Sequence, residues 1–383
     1  MTTGTPALSP GLEGIPIAES AISLVEGHEG RLSYRGYSIE DITRAENTFE
    51  EIVALIYDGE LPKPARIEEV RRRLQADRGL SSEQIEIARA AGKITHPMFA
   101  LQAAAATLGP RDNDFEPKVA TVEARGMAAV AKMGHLVGVL CQAAEGRSYD
   151  GPRPGESHAE MMLRMITGKK PSAAHLHAMN ALLILQADHS AGNASTFTSR
   201  VVASTKAEPE SVLSAAIGAL SGPAHGGANE QSLRLFEQIG DPTQAKSQVE
   251  HMLNDHVKIP GFGHRIYHVK DPRSKVIQRL AGEVIPPGTK IADLYQIALT
   301  VEDVATARLG ARGLFPNVDL FSGCVFAAIG IPTDFFTPIF AASRTLGWMA
   351  NVREQWESGN RIFRPTQIYT GHALRPYVSI AKR

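Results

Sequence analysis

Apolar residues recur every three or four positions along most of this chain, which is the period of an amphipathic α-helix. The pattern predicts helices over residues 39–57, 65–76, 83–92, 209–220, 228–239, 243–256, 273–283, 290–308 and 335–357. Ser172 is placed to cap a further apolar helix that runs to about His189. Another helix carries a buried face marked by Met127, Val130, Met133, Val137 and Leu140. The two methionines of that face are interpreted as core filling rather than as part of a cofactor site.

A period of two occurs clearly in one region, residues 15–37. Apolar residues there alternate with polar ones on both sides of the glycine-containing break EGHEG. Such a pattern predicts a small β-hairpin, and an irregular arm is the alternative. Residues 1–14, rich in Pro, Gly and Thr, are expected to form a tail.

The character of the chain changes beyond Pro223, where short charged helices alternate with glycine-rich and proline-rich loops. The long final helix then returns to the apolar character of the first half. We therefore expect an all-α fold of two domains with a small N-terminal β-hairpin. The larger helical domain would comprise residues 1–222 and 331–383, and the smaller helical domain, residues 223–330, would be inserted into it.

Composition narrows the class of protein. The chain has 383 residues, 43% hydrophobic and 21% charged, with a net charge of -1, as in an ordinary globular protein rather than a disordered one. The balanced charge gives no global positive field for nucleic acid. Two cysteines exclude a disulfide framework and a four-cysteine zinc site. We find no secretory signal and no uncharged stretch of the roughly 20 apolar residues that a membrane span needs, and we expect a cytoplasmic protein.

Four segments break the pattern of helix and linker. They read ADHSAGNASTF from residue 187, SGPAHGGAN from residue 221, PGFGHR from residue 260 with DPR from residue 271, and NVDLFSG from residue 317. Each places an ionisable side chain among Gly, Pro or Asn, where backbone and ligand can approach closely. A single loop histidine is more often a structural group. Three histidines, one aspartate and several arginines together indicate a functional site.

These segments resemble the citrate synthase family, as do FAASRTLGW from residue 340 and RIFRPTQIYTG from residue 361. All six stand in the family's order, over nearly the whole chain. The resemblance implies the two-domain citrate-synthase-like helical fold. It also implies an acyltransferase that condenses acetyl-CoA with oxaloacetate and water to give citrate and CoA, the entry step of the tricarboxylic acid cycle. No metal and no tightly bound cofactor are implied.

The resemblance also implies roles for matched residues. His225 would hydrogen-bond the thioester oxygen of acetyl-CoA, Asp319 would remove a methyl proton, and His264 would polarise the carbonyl of oxaloacetate. The oxaloacetate carboxylates would be held by His189, Arg273, Arg344 and Arg364, with Phe340 packing alongside. Arg364 would reach the partner's site in a homodimer. The chemistry agrees, since a carboxylate base and an oxyanion donor lower the barrier to enolisation, and arginine forks suit carboxylates.

CoA would be contacted by Ile259, Pro260, Gly261, Phe262, Gly263, Arg265, His268 and Lys270. His268 stands where many family members have Lys or Arg, so Lys270 or Arg265 is expected to supply the charge for the CoA phosphates. His189 and Asn193 are four residues apart, whereas many bacterial members have three. The chain begins directly at the GLEG segment, so we expect the short form, without the N-terminal extension of the NADH-regulated members.

Three alternatives are weighed against this interpretation. The first is 2-methylcitrate synthase, which uses propionyl-CoA and shares this residue set. The second is a catalytically silent relative, against which the presence of His225, His264 and Asp319 argues. The third is a helical interaction protein, which would bind no CoA. A zinc site at His264 and His268 is not expected, because the surrounding Gly and Pro disfavour the regular helix that their spacing would need.

Overall fold

The computed structural model describes residues 8–110 and 115–383. The predicted tail therefore lies partly outside the described residues. A small antiparallel sheet follows it, formed by β1 (Ser23–Glu26), β2 (Arg31–Tyr34) and β3 (Tyr37–Ser38) in the order β1-β2-β3. Ser23 lies opposite Tyr34, and Ser33 lies opposite Ser38. The predicted hairpin is confirmed, and a short third strand extends it.

Fifteen α-helices make up most of the described residues. The first nine are α1 (Phe49–Asp58), α2 (Pro64–Asp77), α3 (Ser82–Ile94), α4 (Pro97–Ala105), α5 (Val119–Ala144), α6 (His158–Thr167), α7 (Ala173–Gln186), α8 (Ala194–Ser204) and α9 (Pro209–Leu220). The remaining six are α10 (Ala228–Ile239), α11 (Pro242–Asn254), α12 (Pro272–Val284), α13 (Lys290–Leu309), α14 (Asp319–Ala328) and α15 (Phe336–Glu357). The all-α prediction is confirmed.

Local capping explains where the helices differ from the prediction. The first predicted helix, residues 39–57, was placed too early, because the Thr48 side chain accepts the Glu51 N–H and caps α1 there. Ser172 does cap α7, but that helix ends at Gln186, before the segment that carries His189. The segment from residue 317, which breaks the helical pattern in the sequence, is mostly helical in the structure, since α14 begins at Asp319. Helices α4, α6 and α8 were not predicted.

The core is built around α5 and α15. The predicted face of α5, from Met127 to Leu140, is buried, and α15 packs across this helix and against α8. In length and composition α5 could cross a membrane, but 83% of the relevant segment is buried inside the fold. It is placed as the core helix of a globular protein would be.

Helices α10 to α14, which belong to the predicted inserted domain, pack on one another. The closest pairs are α10 with α14, α11 with α13, and α12 with α14. This group also touches the rest of the chain, because α12 packs against α7 and α10 against α15. The end of α7 also meets the middle of α15, where Arg344 Nε donates to Gln186 O. The domain boundaries themselves stay a prediction.

Candidate active site

The segments singled out in the sequence converge between α7, α14 and α15. The rings of His189 and His264 lie 5.2 Å apart, edge to face. The charges of Arg273 and Arg344 both act on Asp319 and on His189, and Arg344 also acts on His225. Residues more than 100 positions apart in the chain thus form one cluster.

Backbone hydrogen bonds join the loop that carries His264 to the segment before α14. The Gly263 N–H donates to Phe315 O at 2.8 Å, and the Asn317 N–H donates to Gly261 O at 2.9 Å. Asn317 Nδ2 donates to Gly263 O at 2.9 Å, and its Oδ1 accepts the Asp319 N–H. Gly261 has a φ of +74°, and a Cβ there would lie 2.6 Å from the Cα of Leu320. Glycine at this position permits the close approach that sets Asp319 beside the His264 loop.

The structure defines the tautomer of His264. Its Nδ1 accepts the N–H groups of Ile266 at 3.0 Å and Tyr267 at 3.1 Å, so the ring proton belongs on Nε2. Burial, assisted by the positive charge of Arg273, lowers the pKa of His264 to about 4. At neutral pH this side chain is therefore a neutral hydrogen-bond donor.

His225 is held through Ser195, a residue that the sequence analysis missed although it lies in the first segment. His225 Nε2 is 3.0 Å from Ser195 Oγ, which also accepts the indole N–H of Trp348 at 3.2 Å. Asn193 Oδ1 accepts the Ser195 N–H as the cap of α8 and also lies 3.0 Å from Ser195 Oγ, so the single hydroxyl proton has two acceptors within reach, Asn193 Oδ1 and His225 Nε2. Burial lowers the pKa of His225 to about 4, so the ring is neutral.

Arg344 is a buried cation without a carboxylate partner among the described residues. It is 1% exposed, its Nε donates to Gln186 O at 2.7 Å, and its Nη1 is buried with no hydrogen bond. The guanidinium lies over the Phe340 ring at 4.7 Å. Burial lowers the pKa of Arg344 to about 10. Because an unpaired buried charge is costly, this arrangement favours the binding of an anion.

Two neighbouring groups complete the anion-binding character. Arg273 is 4% exposed and forms a two-pronged pair with Asp271, at 3.0 and 2.7 Å. His189 is 2% exposed, and its Nε2 is buried without a hydrogen-bond partner. A small carboxylate bound here would satisfy donors that the protein leaves open.

Asp319 is the candidate base. Burial raises the pKa of its carboxyl from 3.8 to about 7, although the charge of Arg273 acts in the opposite direction. A carboxylate with a pKa near neutrality is suited to accept and return a proton. The cluster thus combines one base, two neutral imidazole donors and two buried arginines.

The residues expected to bind CoA lie in less uniform surroundings. Ile259 is buried, whereas Arg265 is exposed, with its Nη2 3.4 Å from an oxygen of Glu13. The exposed His268 stacks on His28 with 4.8 Å between ring centroids. Lys270 Nζ is 2.5 Å from Glu302 and donates to Gln278 at 2.7 Å. Arg265 therefore makes fewer and longer contacts within the protein than Lys270, the other cation expected to bind the CoA phosphates.

Arg364 is not brought to the cluster within one chain. It lies in the extended segment after α15 and is exposed to solvent. Its expected role needs a second subunit.

One group of metal-type ligands exists among the described residues, His96 with Glu230 and Asp334, whose ligand atoms lie within 4.8 Å of one another. None of them belongs to the site cluster. Asp334 already pairs with Arg234 at 2.5 Å, and Glu230 accepts the Thr337 hydroxyl at 2.5 Å.

The fold and the site together define a class of protein, a helical enzyme in which a carboxylate base and two neutral imidazoles stand beside buried, anion-seeking arginines. Residues 11–366 match the family described as "Citrate synthase, C-terminal domain". The chain belongs to the citrate synthase family.

Individual relatives agree over the full length. A citrate synthase from Acidithiobacillus ferridurans is 40% identical, with 99% of each chain covered. A 2-methylcitrate synthase from Shewanella oneidensis is 35% identical, with 97% of each chain covered. Among solved structures, the ternary complex of carboxymethyl coenzyme A and oxaloacetate with citrate synthase from Thermoplasma acidophilum matches with a TM-score of 0.94. That protein is 32% identical, and the match covers 99% of this chain and 100% of that one.

Proposed function

We propose that this chain is a citrate synthase, an acyltransferase that condenses acetyl-CoA with oxaloacetate and water to give citrate and CoA at the entry to the tricarboxylic acid cycle. The observation that carries the proposal is the placing of Asp319, with a pKa near 7, in one cluster with two neutral histidines and the unpaired Arg344. Each of these features matches one requirement of the reaction.

The first step is proton removal. Asp319 takes a proton from the methyl group of acetyl-CoA while the neutral imidazole of His225 donates a hydrogen bond to the thioester oxygen. A neutral donor and a nearby base stabilise the enol together, without a free carbanion. CoA itself would lie against the 259–263 backbone, with Arg265 and His268 at the solvent side.

The second step is carbon–carbon bond formation. The methylene carbon of the enol attacks the carbonyl carbon of oxaloacetate, and the Nε2–H of His264 donates to the carbonyl oxygen as it becomes a hydroxyl. Arg273, Arg344 and His189 hold the carboxylates, and Phe340 packs beside Arg344. Water then cleaves the thioester, giving citrate and CoA.

A homodimer is part of the proposal. After α15 the chain is extended, and it exposes large apolar side chains to solvent, among them Ile362 (60%), Tyr369 (70%), Leu374 (102%) and Tyr377 (81%). Exposed apolar patches of this kind mark interaction surfaces. A partner subunit that covered this tail would also receive Arg364. We further propose a cytoplasmic location, because the two free, buried cysteines fit a reducing compartment.

Turnover with oxaloacetate and either acetyl-CoA or propionyl-CoA, followed as thiol release, tests the proposal. The full-length similarity to a 2-methylcitrate synthase makes propionyl-CoA the second candidate. One methyl group is worth only about 1–3 kcal/mol of discrimination in an apolar site. We expect acetyl-CoA to be preferred by about 10-fold or more. Preference for propionyl-CoA would assign the second function, and turnover of neither thioester would overturn both.

A further inference from the structure

The corner between α7 and α8 carries His189 on an unusual backbone. The residue after it, Ser190, has a φ of +66°, a left-handed conformation that is uncommon for a residue other than glycine. His189 itself is fully enclosed, and its Nε2 has no hydrogen-bond partner in residues 8–110 or 115–383. The position of its imidazole therefore depends on what holds residues 187–190 in place.

On one side the small N-terminal sheet holds this corner. The Tyr34 hydroxyl on β2 accepts the Asp188 N–H at 3.2 Å and shares its proton between Ile184 O, at 2.9 Å, and Asp188 O, at 3.0 Å. The Ser23 hydroxyl on β1 donates to Asp188 Oδ2 at 2.5 Å and accepts the Ser190 N–H at 2.9 Å. Ser23 and Tyr34 face each other in the strand register.

On the other side α15 closes the corner. The Gly347 N–H donates to Ala187 O at 3.0 Å, and Asn351 Nδ2 donates to Asp188 Oδ1 at 3.2 Å. A Cβ at position 347 would lie 2.3 Å from Ala187 O, so helix and corner are in direct contact. Asp188 is thus held by both sheet and helix and Ala187 by the helix, whereas the Ser190 N–H is held by Ser23.

We propose that Ser23 is a positioning residue for His189, acting by holding Ser190 in its left-handed conformation. The inference rests on the proposed function for its consequence, since His189 would bind oxaloacetate. The small sheet is then part of the active-site scaffold, although it lies more than 160 residues before the histidine that it positions. Loss of the hydroxyl would free Ser190 to leave the left-handed region and turn the peptide that joins it to His189.

The test uses Ser23→Ala, with Ser33→Ala as the matched control. Ser33 stands in the same sheet, and its hydroxyl makes no hydrogen bond within the described residues. Amide hydrogen exchange at Ser190 should rise at least tenfold in Ser23→Ala and stay unchanged in Ser33→Ala. The KM for oxaloacetate should rise about tenfold, with kcat changed less than about threefold. A displaced His189 would lose its hydrogen bond to a substrate carboxylate, and losing a hydrogen bond to a charged group typically weakens binding about tenfold.

A second variant separates positioning from general damage to the fold. Glycine adopts a φ of +66° without strain. Adding Ser190→Gly to Ser23→Ala should therefore lower the raised KM for oxaloacetate by at least about threefold. Unchanged exchange at Ser190 in Ser23→Ala would overturn the inference. So would a raised KM that Ser190→Gly leaves untouched, since Ser23 would then only stabilise the sheet. The exchange measurement needs no turnover, so failure of the proposed function would show separately, as an inactive wild type.

Discussion

Replacing Asp319 by Asn should abolish proton abstraction and, at the same time, make the free protein more stable at pH 8. The amide keeps the size of the side chain but cannot act as a base. General-base catalysis is typically worth about 10²–10⁴-fold, or about 3–5 kcal/mol of activation free energy. We therefore expect kcat to fall by at least about 100-fold, while oxaloacetate binding, which depends on the arginines and His189, changes little.

The gain in stability follows from the pKa of the buried carboxyl. A folded-state pKa raised from 3.8 to about 7 means that stability present at low pH is lost as the pH rises through 7. This loss would reach about 4 kcal/mol for a fully enclosed group. Asp319 is only partly buried, so solvent screening reduces our expectation to about 2 kcal/mol. The Asn variant escapes this loss and should melt about 2–3 °C higher than the wild type at pH 8.

Steady-state kinetics and thermal melts of both proteins, at pH 8 and at pH 4.5, decide the matter. The stability advantage of the variant should shrink at pH 4.5, where the wild-type carboxyl is protonated in the folded state. Near-normal turnover would remove Asp319 from the mechanism. An inactive variant that is less stable than the wild type at both pH values would show that Asp319 serves the fold instead.

Three further outcomes are expected. In the wild type, kcat/KM should rise with pH to a plateau with an apparent pKa near 7, because Asp319 must be deprotonated while His225 and His264, with pKa values of about 4, stay neutral. A midpoint near 4 would contradict the raised pKa of Asp319. Mixing the inactive variants Arg364→Ala and His225→Ala should restore activity after subunit exchange, because one active site of each heterodimer would carry neither substitution. Proven subunit exchange without a return of activity would place Arg364 outside its partner's site. Calorimetric titration should show that CoA binds more tightly when oxaloacetate is present. Groups on α15 and on the 264–273 loop would bind the dicarboxylate together and close the two predicted domains. Equal CoA affinities with and without oxaloacetate would mean that the CoA and oxaloacetate sites are uncoupled.

Much of the helical architecture is readable from local sequence. Helices α2, α3, α7, α9 to α13 and α15 follow the apolar period, and proline starts α2, α9, α11 and α12 at their first position. Capping by Ser172 is another short-range effect that the sequence reveals directly. The start of α1 and the helix α6 were missed although local signals mark them, since Thr48 caps α1 and Ser157 caps α6. Helices α4 and α8 lack a clear polar–apolar period, because α4 is apolar almost throughout and α8 buries polar side chains.

The composition of the site was also readable, because its side chains sit in six short motifs whose residue types match one chemistry. The protonation state of each group was not. The neutral state of His225, the Nε2 proton of His264 and the raised pKa of Asp319 arise from burial and from partners elsewhere in the chain. No local pattern encodes these partners.

The sequence by itself thus determined the fold class and the family and predicted the reacting side chains, since these depend on periodicity, capping and short motifs. Tertiary structure alone decided that Arg344 meets the end of α7, 158 residues away, and leaves Arg344 Nη1 buried without a hydrogen bond among the described residues. It also decided that Ser23 on the small sheet holds the corner of His189 across 165 residues. The physical reason is common to both cases, because desolvation and hydrogen-bond geometry depend on which distant segments exclude water from one another, and packing settles that only when the whole chain has folded.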